Sequence, residues 1–218
     1  MSIPATTSGP PPAHAPHFAD DRQRLDADHL GMWTFLTTEV MFFGGLFAAY
    51  SVYRWAYPEG FAEGSGHLDF WIGTINTAVL LLSSLFVAWG DLAIKAGAMR
   101  TVKGCIVFAW ILGAIFLALK GYEYLLKYHE GLIPGAHFEV EAQHPEQVQL
   151  FIFIYFALTG LHAIHMVGGL AALGWLLVGV QRGRVTRDDP AAIEITGLYW
   201  HFVDCVWVFL YPLLYLIK

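Results

Sequence analysis

Along the chain, five long apolar stretches alternate with short polar ones. A spanning helix needs about 20 largely apolar residues to cross roughly 30 Å of hydrocarbon. Five segments meet that length: Leu30–Tyr53, Phe70–Gly90, about Gly104–Leu126, a stretch within Gln149–Gln181, and about Ile193–Ile217. The first contains one formal charge, Glu39, and the second none. The third has Lys120 and Glu123 near its end, the fourth is free of formal charge but holds His162 and His165, and the fifth holds His201 and Asp204. No water is available in the bilayer core to satisfy a bare backbone, so such runs must be helical. The pattern predicts an all-α fold, an integral membrane bundle of five transmembrane helices.

The intervals carry helix breakers. Arg54–Asp69 contains Pro58, Gly60, Gly64 and Gly66, and Tyr128–Val148 contains Gly131, Pro134, Gly135 and Pro145. Asp91–Lys103 and Arg182–Pro190 are shorter and basic or mixed. No tandem repeat is visible. Ahead of the first span, Pro4, Pro10, Pro11, Pro12 and Pro16 predict an extended or flexible tail. The organisation expected is therefore a Pro-rich cytoplasmic tail, 1–28, and one membrane domain, 29–218. The tail has no apolar run flanked by basic residues and includes Asp20, Asp21, Asp26 and Asp28, so neither a secretion signal nor a transit peptide is expected.

Orientation follows from the basic residues. The tail and the second and fourth linkers carry Arg22, Arg24, Lys95, Arg100, Lys103, Arg182, Arg184 and Arg187, against Arg54, Lys127 and Lys218 on the opposite side. Positive charge favours the cytoplasmic face, which predicts a cytoplasmic N-terminus and a C-terminus on the far side. Composition agrees with a membrane protein. Charged residues make up 14% of the chain, against roughly 25% in ordinary soluble domains. A net charge of −6 argues against a nucleic-acid partner. The two cysteines, Cys105 and Cys205, lie inside apolar runs and carry no redox signature.

Ionisable groups at membrane depth need an explanation, since each costs at least ~2.5–3.5 kcal/mol near the bilayer centre. Glu39 sits nine residues into its span, about 13 Å deep at 1.5 Å per residue. It reads either as a proton-relay or lipid-headgroup contact, or as a neutral acid hydrogen-bonded to a neighbouring helix. His162 and His165 stand three apart, as do His201 and Asp204, so each pair shares a helix face. Lys120 and Glu123 repeat that spacing and can neutralise each other. Asn76, with Thr74, Thr77, Ser83 and Ser84, gives the second span an uncharged polar stripe. A di-iron bundle would show Glu-x-x-His on two helices; the pairs here are His-x-x-His and His-x-x-Asp. Interhelical hydrogen bonding among His162, His165, His201, Asp204 and Asn76 accounts for them without a metal or a catalytic set. Gly44 with Ala48, Gly45 with Ala49, and Gly168 with Ala172 are small pairs that permit close helix approach. Tyr53, Trp55, Tyr57 and Tyr215 suit an interfacial belt.

Five runs, in order and one in each span, are FLTTEVMFFGGLFAAY at 35–50, INTAVLLLSS at 75–84, GYEYL at 121–125, TGLHAIHMVGG at 159–169 and YWHFVDCVWVFLYPLLYL at 199–216. Together they resemble subunit III of the haem–copper respiratory oxidases, in its shorter five-helix bacterial form, from about residue 28 to the end. The resemblance implies an accessory subunit with no redox centre or cofactor of its own. Haem and copper would lie in a partner, subunit I, which this chain would pack against directly. Subunit II, other respiratory-complex subunits and bound phospholipids are further implied partners. The implied role is support of proton uptake and of catalytic stability while the complex reduces O2 to water, in the bacterial cytoplasmic (inner) membrane. By the same resemblance Glu39 matches the family's reactive glutamate and Glu123 its Glu-Tyr motif, as proton-related or lipid-contacting acids; His162 and His165 match its His-x-x-His pair. His201 and Asp204 match its Trp-His-Phe-Val-Asp signature, where roles look structural. An accessory subunit of a quinol oxidase or a nitric oxide reductase is the alternative within that superfamily. A stand-alone metal-binding membrane enzyme and a proton-coupled transporter are the alternatives outside it.

Overall fold

The computed structural model of the chain describes residues 21–134, 142–186 and 190–217, without the side chains of Asp21, Arg22 and Arg24. Among the described residues six helices follow one another: α1 (Asp21–Ala56), α2 (Pro58–Gly66), α3 (Phe70–Lys95), α4 (Met99–His129), α5 (Pro145–Gln181) and α6 (Ala191–Tyr215). Five of them, all but α2, are long and apolar enough to cross a membrane. The molecule is an all-α multi-pass membrane bundle.

Helix ends are set by local chemistry. Pro58 and Pro145 open α2 and α5, where a missing N–H costs nothing. Asp69 caps α3, accepting from the Trp71 and Ile72 amides at 2.8 and 3.2 Å. Three helices stop in the same way. Gly97, Gly131 and Gly183, at φ of 76°, 70° and 69°, take a left-handed conformation that side chains resist. The next amide then returns to the last full turn: Ala98 N to Ala93 O, Leu132 N to Lys127 O and Arg184 N to Gly179 O. α6 ends at Tyr215, and two of the last-turn carbonyls left without a helical partner are taken by side chains of other elements. The Tyr50 hydroxyl donates to Leu213 O, and Ser65 Oγ to Leu214 O at 2.8 Å.

Four helices form a ring, with α3 against α4, α4 against α5, α5 against α6 and α6 against α3; α1 lies outside, on the α5–α6 side. Trp200 of α6 fills the centre. It is fully buried, donates its indole N–H to Ser83 Oγ at 3.1 Å, and occupies space left by two glycines. A Cβ at Gly113 would come within 2.6 Å of its ring, and one at Gly169 within 2.9 Å.

Several expectations change. Residues 21–28, assigned to the flexible tail, are the first turns of α1; no Pro or Gly interrupts residues 17–30, and acidic residues suit a helix N-terminus. Residues 1–20 lie outside the described residues. The 54–69 linker contains a helix, α2, whose Gly60 and Gly64 let it lie directly on Gln147 and Phe151 of α5. The small residues of α1 do not bring helices together within this chain, since Gly44 and Gly45 face open space. Gly168 does make a close contact, with the Tyr199 hydroxyl. Tyr215 is not at the interface but 1% exposed in the core.

Candidate functional site

The polar groups at membrane depth fall into three sets. The first joins α1 to α5. His165 Nδ1 donates to Leu161 O at 2.9 Å, and its Nε2 meets Glu39 Oε2 at 2.9 Å. With Nδ1 already protonated, one proton remains for the Nε2–Oε2 contact. It sits either on the acid, facing a neutral imidazole, or on the imidazole, facing a carboxylate; both forms leave the pair without net charge. The Phe43 ring lies 5.2 Å from the imidazole, and the Tyr199 hydroxyl donates to His165 O at 3.1 Å. Exposure of the two side chains is 17% for Glu39 and 12% for His165.

The second set is closed. Lys120 Nζ donates to Glu123 Oε2 at 3.0 Å, Tyr155 Oη at 2.9 Å and Tyr215 Oη at 2.6 Å, which uses all three of its protons. Tyr215 in turn donates to the Glu123 carboxylate at 2.7 Å. The ammonium also lies 4.6 Å from the ring centroid of Tyr155, 5.2 Å from that of Trp207 and 5.3 Å from that of Tyr215, a favourable setting for a desolvated cation. Lys120 and Glu123 are 2% and 1% exposed, so the lipid-contact reading of Glu123 does not fit its place inside the bundle. The network ties α4 to α5 and α6.

The third set is open. His162 is fully buried against the Phe116 and Trp207 rings. Its Nε2 donates to Val203 O at 3.1 Å, and its Nδ1 has no partner among the described residues. His201 Nδ1 bonds Ser84 Oγ at 2.6 Å rather than Asp204. Asp204, 4% exposed, has Ser84 beside it, yet neither carboxylate oxygen makes a hydrogen bond among the described residues; the same is true of the Asn76 amide.

The residues singled out in the sequence thus divide. Glu39 meets His165, and Glu123 meets Lys120, but the two histidines of the His-x-x-His pair face different neighbours. Among the described residues no three His, Cys, Asp or Glu side chains converge, so Glu39, Glu123 and the histidines are not gathered into one ligand set. The sequence pattern gave no sign of Tyr155 and Tyr199, placed Tyr215 at the interface and marked Ser84 only as part of a polar stripe. A lone hydroxyl in an apolar run bears no charge, and only its burial marks it as a partner.

Residues 22–218 match the family described as Cytochrome c oxidase subunit III. The chain is similar to cytochrome c oxidase subunit 3 of Thermostichus vulcanus, 32% identical over 189 residues and 86% of each chain. It is similar to cytochrome c oxidase subunit 3 of Synechocystis, 32% identical over 97% of this chain and 83% of the relative. The cytochrome bo(3) ubiquinol oxidase subunit 3 of Pseudomonas putida is 30% identical over 86% and 84% of the two chains. With that match spanning every membrane helix described above, the chain belongs to the cytochrome c oxidase subunit III family.

Proposed function

We propose that this chain is the non-redox accessory subunit of a haem–copper terminal oxidase in a bacterial inner membrane, with its N-terminus in the cytoplasm. It packs directly on a catalytic subunit that holds the haems and copper, alongside a second subunit, and it retains phospholipids at its surface. Its own residues neither bind oxygen nor carry electrons. They hold a rigid helical wall beside the catalytic subunit and keep proton supply to that subunit steady through repeated turnovers.

The observation that carries this reading is the Glu39–His165 contact. It is a charge-neutral, one-proton hydrogen bond at membrane depth, on the one long helix that packs outside the four-helix ring. Such a pair can pass or hold a proton without stranding a charge in hydrocarbon, and its partial exposure leaves it within reach of a neighbouring subunit. The test is purification in mild detergent of the parent and of Glu39→Gln. Both should bring down a large haem-bearing chain. The variant should show a lower proton-to-electron ratio or faster loss of activity during turnover. Identical pumping and lifetime would remove Glu39 from the mechanism, and recovery of the chain without a haem protein would remove the whole reading.

A quinol-oxidizing complex is the second reading, favoured by the likeness to the Pseudomonas putida ubiquinol oxidase subunit. The donor is selected by other subunits, and spectroscopy of the co-purified haems with each donor decides it.

A further inference from the structure

At the end of the bundle that carries the α3–α4 turn, a cleft of about 590 Å³ opens between α3 and α6, with His29 of α1 at its rim. Its mouth is charged. Lys95 Nζ bridges Asp91 Oδ2 at 2.9 Å and Glu194 Oε1 at 3.2 Å, and His29 Nε2 stands 3.5 Å from Glu194. Its walls are Val87, Ala88 and Gly197, and His201 lines its inner end. His201 is ten residues into α6, about 15 Å along the helix, and Asp204 about 20 Å along it.

Two carboxylates with unsatisfied oxygens lie along this line. Asp91 Oδ1, at the mouth, is shielded from solvent and makes no hydrogen bond among the described residues. Both oxygens of Asp204, one turn of α6 beyond His201 and outside the cleft lining, are in the same state. Between them run His201 and the Ser84 hydroxyl, joined at 2.6 Å, with Ser84 also beside Asp204. Buried polar atoms without protein partners are satisfied by ordered water where there is room and further polar surface. A water takes about 30 Å³, so the cleft has room for several.

We propose that the α3–α6 cleft is a water-filled blind path through which the Asp204 carboxyl exchanges its proton with the aqueous phase on the side of the α3–α4 turn. A proton arriving from cleft water is taken up by His201, whose Nδ1–H passes to Ser84 Oγ as the Ser84 proton moves on to an Asp204 oxygen; the reverse sequence returns it. The titratable groups around this route are Asp91 and Lys95 on α3, Glu194 and His201 on α6, His29 on α1 and His162 on α5, which bonds the carbonyl next to Asp204. Lys120 of α4 is committed to Glu123. Asp204 is thereby a reversible proton store within this chain. The inference stands on the chain's own geometry and holds whichever complex it serves.

Cysteine labelling in the assembled complex, in sealed native vesicles, tests the water. In a Cys205→Ala background, Gly197→Cys places a thiol on the cleft wall; its Cβ meets Val87 at an ordinary 3.5 Å. Leu85→Cys places one on an outer face of α3 that is 60% exposed. Only a hydrated thiol ionises and reacts, so a membrane-impermeant cationic methanethiosulfonate should modify Gly197→Cys at least about tenfold faster, and from one side only. Equal rates, or labelling from both sides, overturn the proposal. Infrared difference spectra test the proton. The protonated-carboxyl band lost in Asp204→Asn should shift in D2O as fast as buffer is exchanged, and Ser84→Ala should slow that shift. A band that keeps its proton, or no such band, overturns the proposal. If Asp204→Asn does not assemble, the labelling ratio alone decides.

Discussion

Removing the Lys120 ammonium should cost far more than the hydrogen bonds it makes. Lys120→Met keeps the apolar stem and deletes contacts of 2.6, 2.9 and 3.0 Å. Interhelical hydrogen bonds in membranes average only about 0.6 kcal/mol and reach about 2. The larger effect is electrostatic. Glu123, 1% exposed, is left with Tyr215 as its one remaining donor among the described partners. Breaking a buried ion pair by deleting one partner costs about 3–5 kcal/mol. Glu123→Leu should cost a similar amount, because it strands the ammonium instead. Lys120→Met/Glu123→Leu removes both charges and should return most of that loss, to within about 2 kcal/mol of the parent. The assay is unfolding in mixed micelles followed by tryptophan fluorescence, read as a double-mutant cycle. A double variant as unstable as the sum of the singles would refute the reasoning, since it would mean that the two charges are satisfied independently.

Three further outcomes are expected. Glu39→Gln should loosen α1 against α5, so hydrogen exchange along α1 should quicken while α4 is unchanged; unaltered exchange counts against the pair as a tie between those helices. Gly113→Val forces a Cβ into Trp200 and should lower stability by about 1–3 kcal/mol, seen as a lower Tm. Gly104→Val, beside open space, should leave packing intact, and equal losses in the two variants would exclude the steric account. Asp69→Ala removes the cap on the Trp71 and Ile72 amides and should cost about 0.5–2 kcal/mol, measured as faster exchange of those two amides; unchanged protection would show the cap to be dispensable.

The spans were legible because the bilayer imposes one rule, a long apolar run with its backbone satisfied inside the helix. Outside the hydrocarbon that rule lapses, and there the reading slipped. Residues 21–28 are polar and look like tail, but they form the first turns of α1. The glycines of the 58–66 segment look like a linker, yet Gly60 and Gly64 are small so that α2 can touch α5. The ionisable residues of the site were legible through their cost; their partners were not. Residues three apart on a helix differ by about 60° in direction. That angle is enough to aim His165 at Glu39 on α1 and His162 at Val203 on α6. Spacing puts two side chains on a common face, whereas the choice between two neighbouring helices depends on how the bundle closes.

Closure also separates glue from chemistry. Lys120 offers three protons and finds three acceptors, and Glu39 shares a single proton with His165, so both sets balance donors against acceptors within the chain. The Lys120 set is spent in tying α4 to α5 and α6, whereas the Glu39–His165 pair ties α1 to α5 through a single shared proton. Asp204 and Asn76 do not balance. Asp204 has only the Ser84 hydroxyl beside it and the Asn76 amide has no partner among the described residues, so neither is tied into the bundle as Lys120 and Glu39 are. Asp204 is linked through Ser84 and His201 to the α3–α6 cleft, and that link is the route proposed above for its proton.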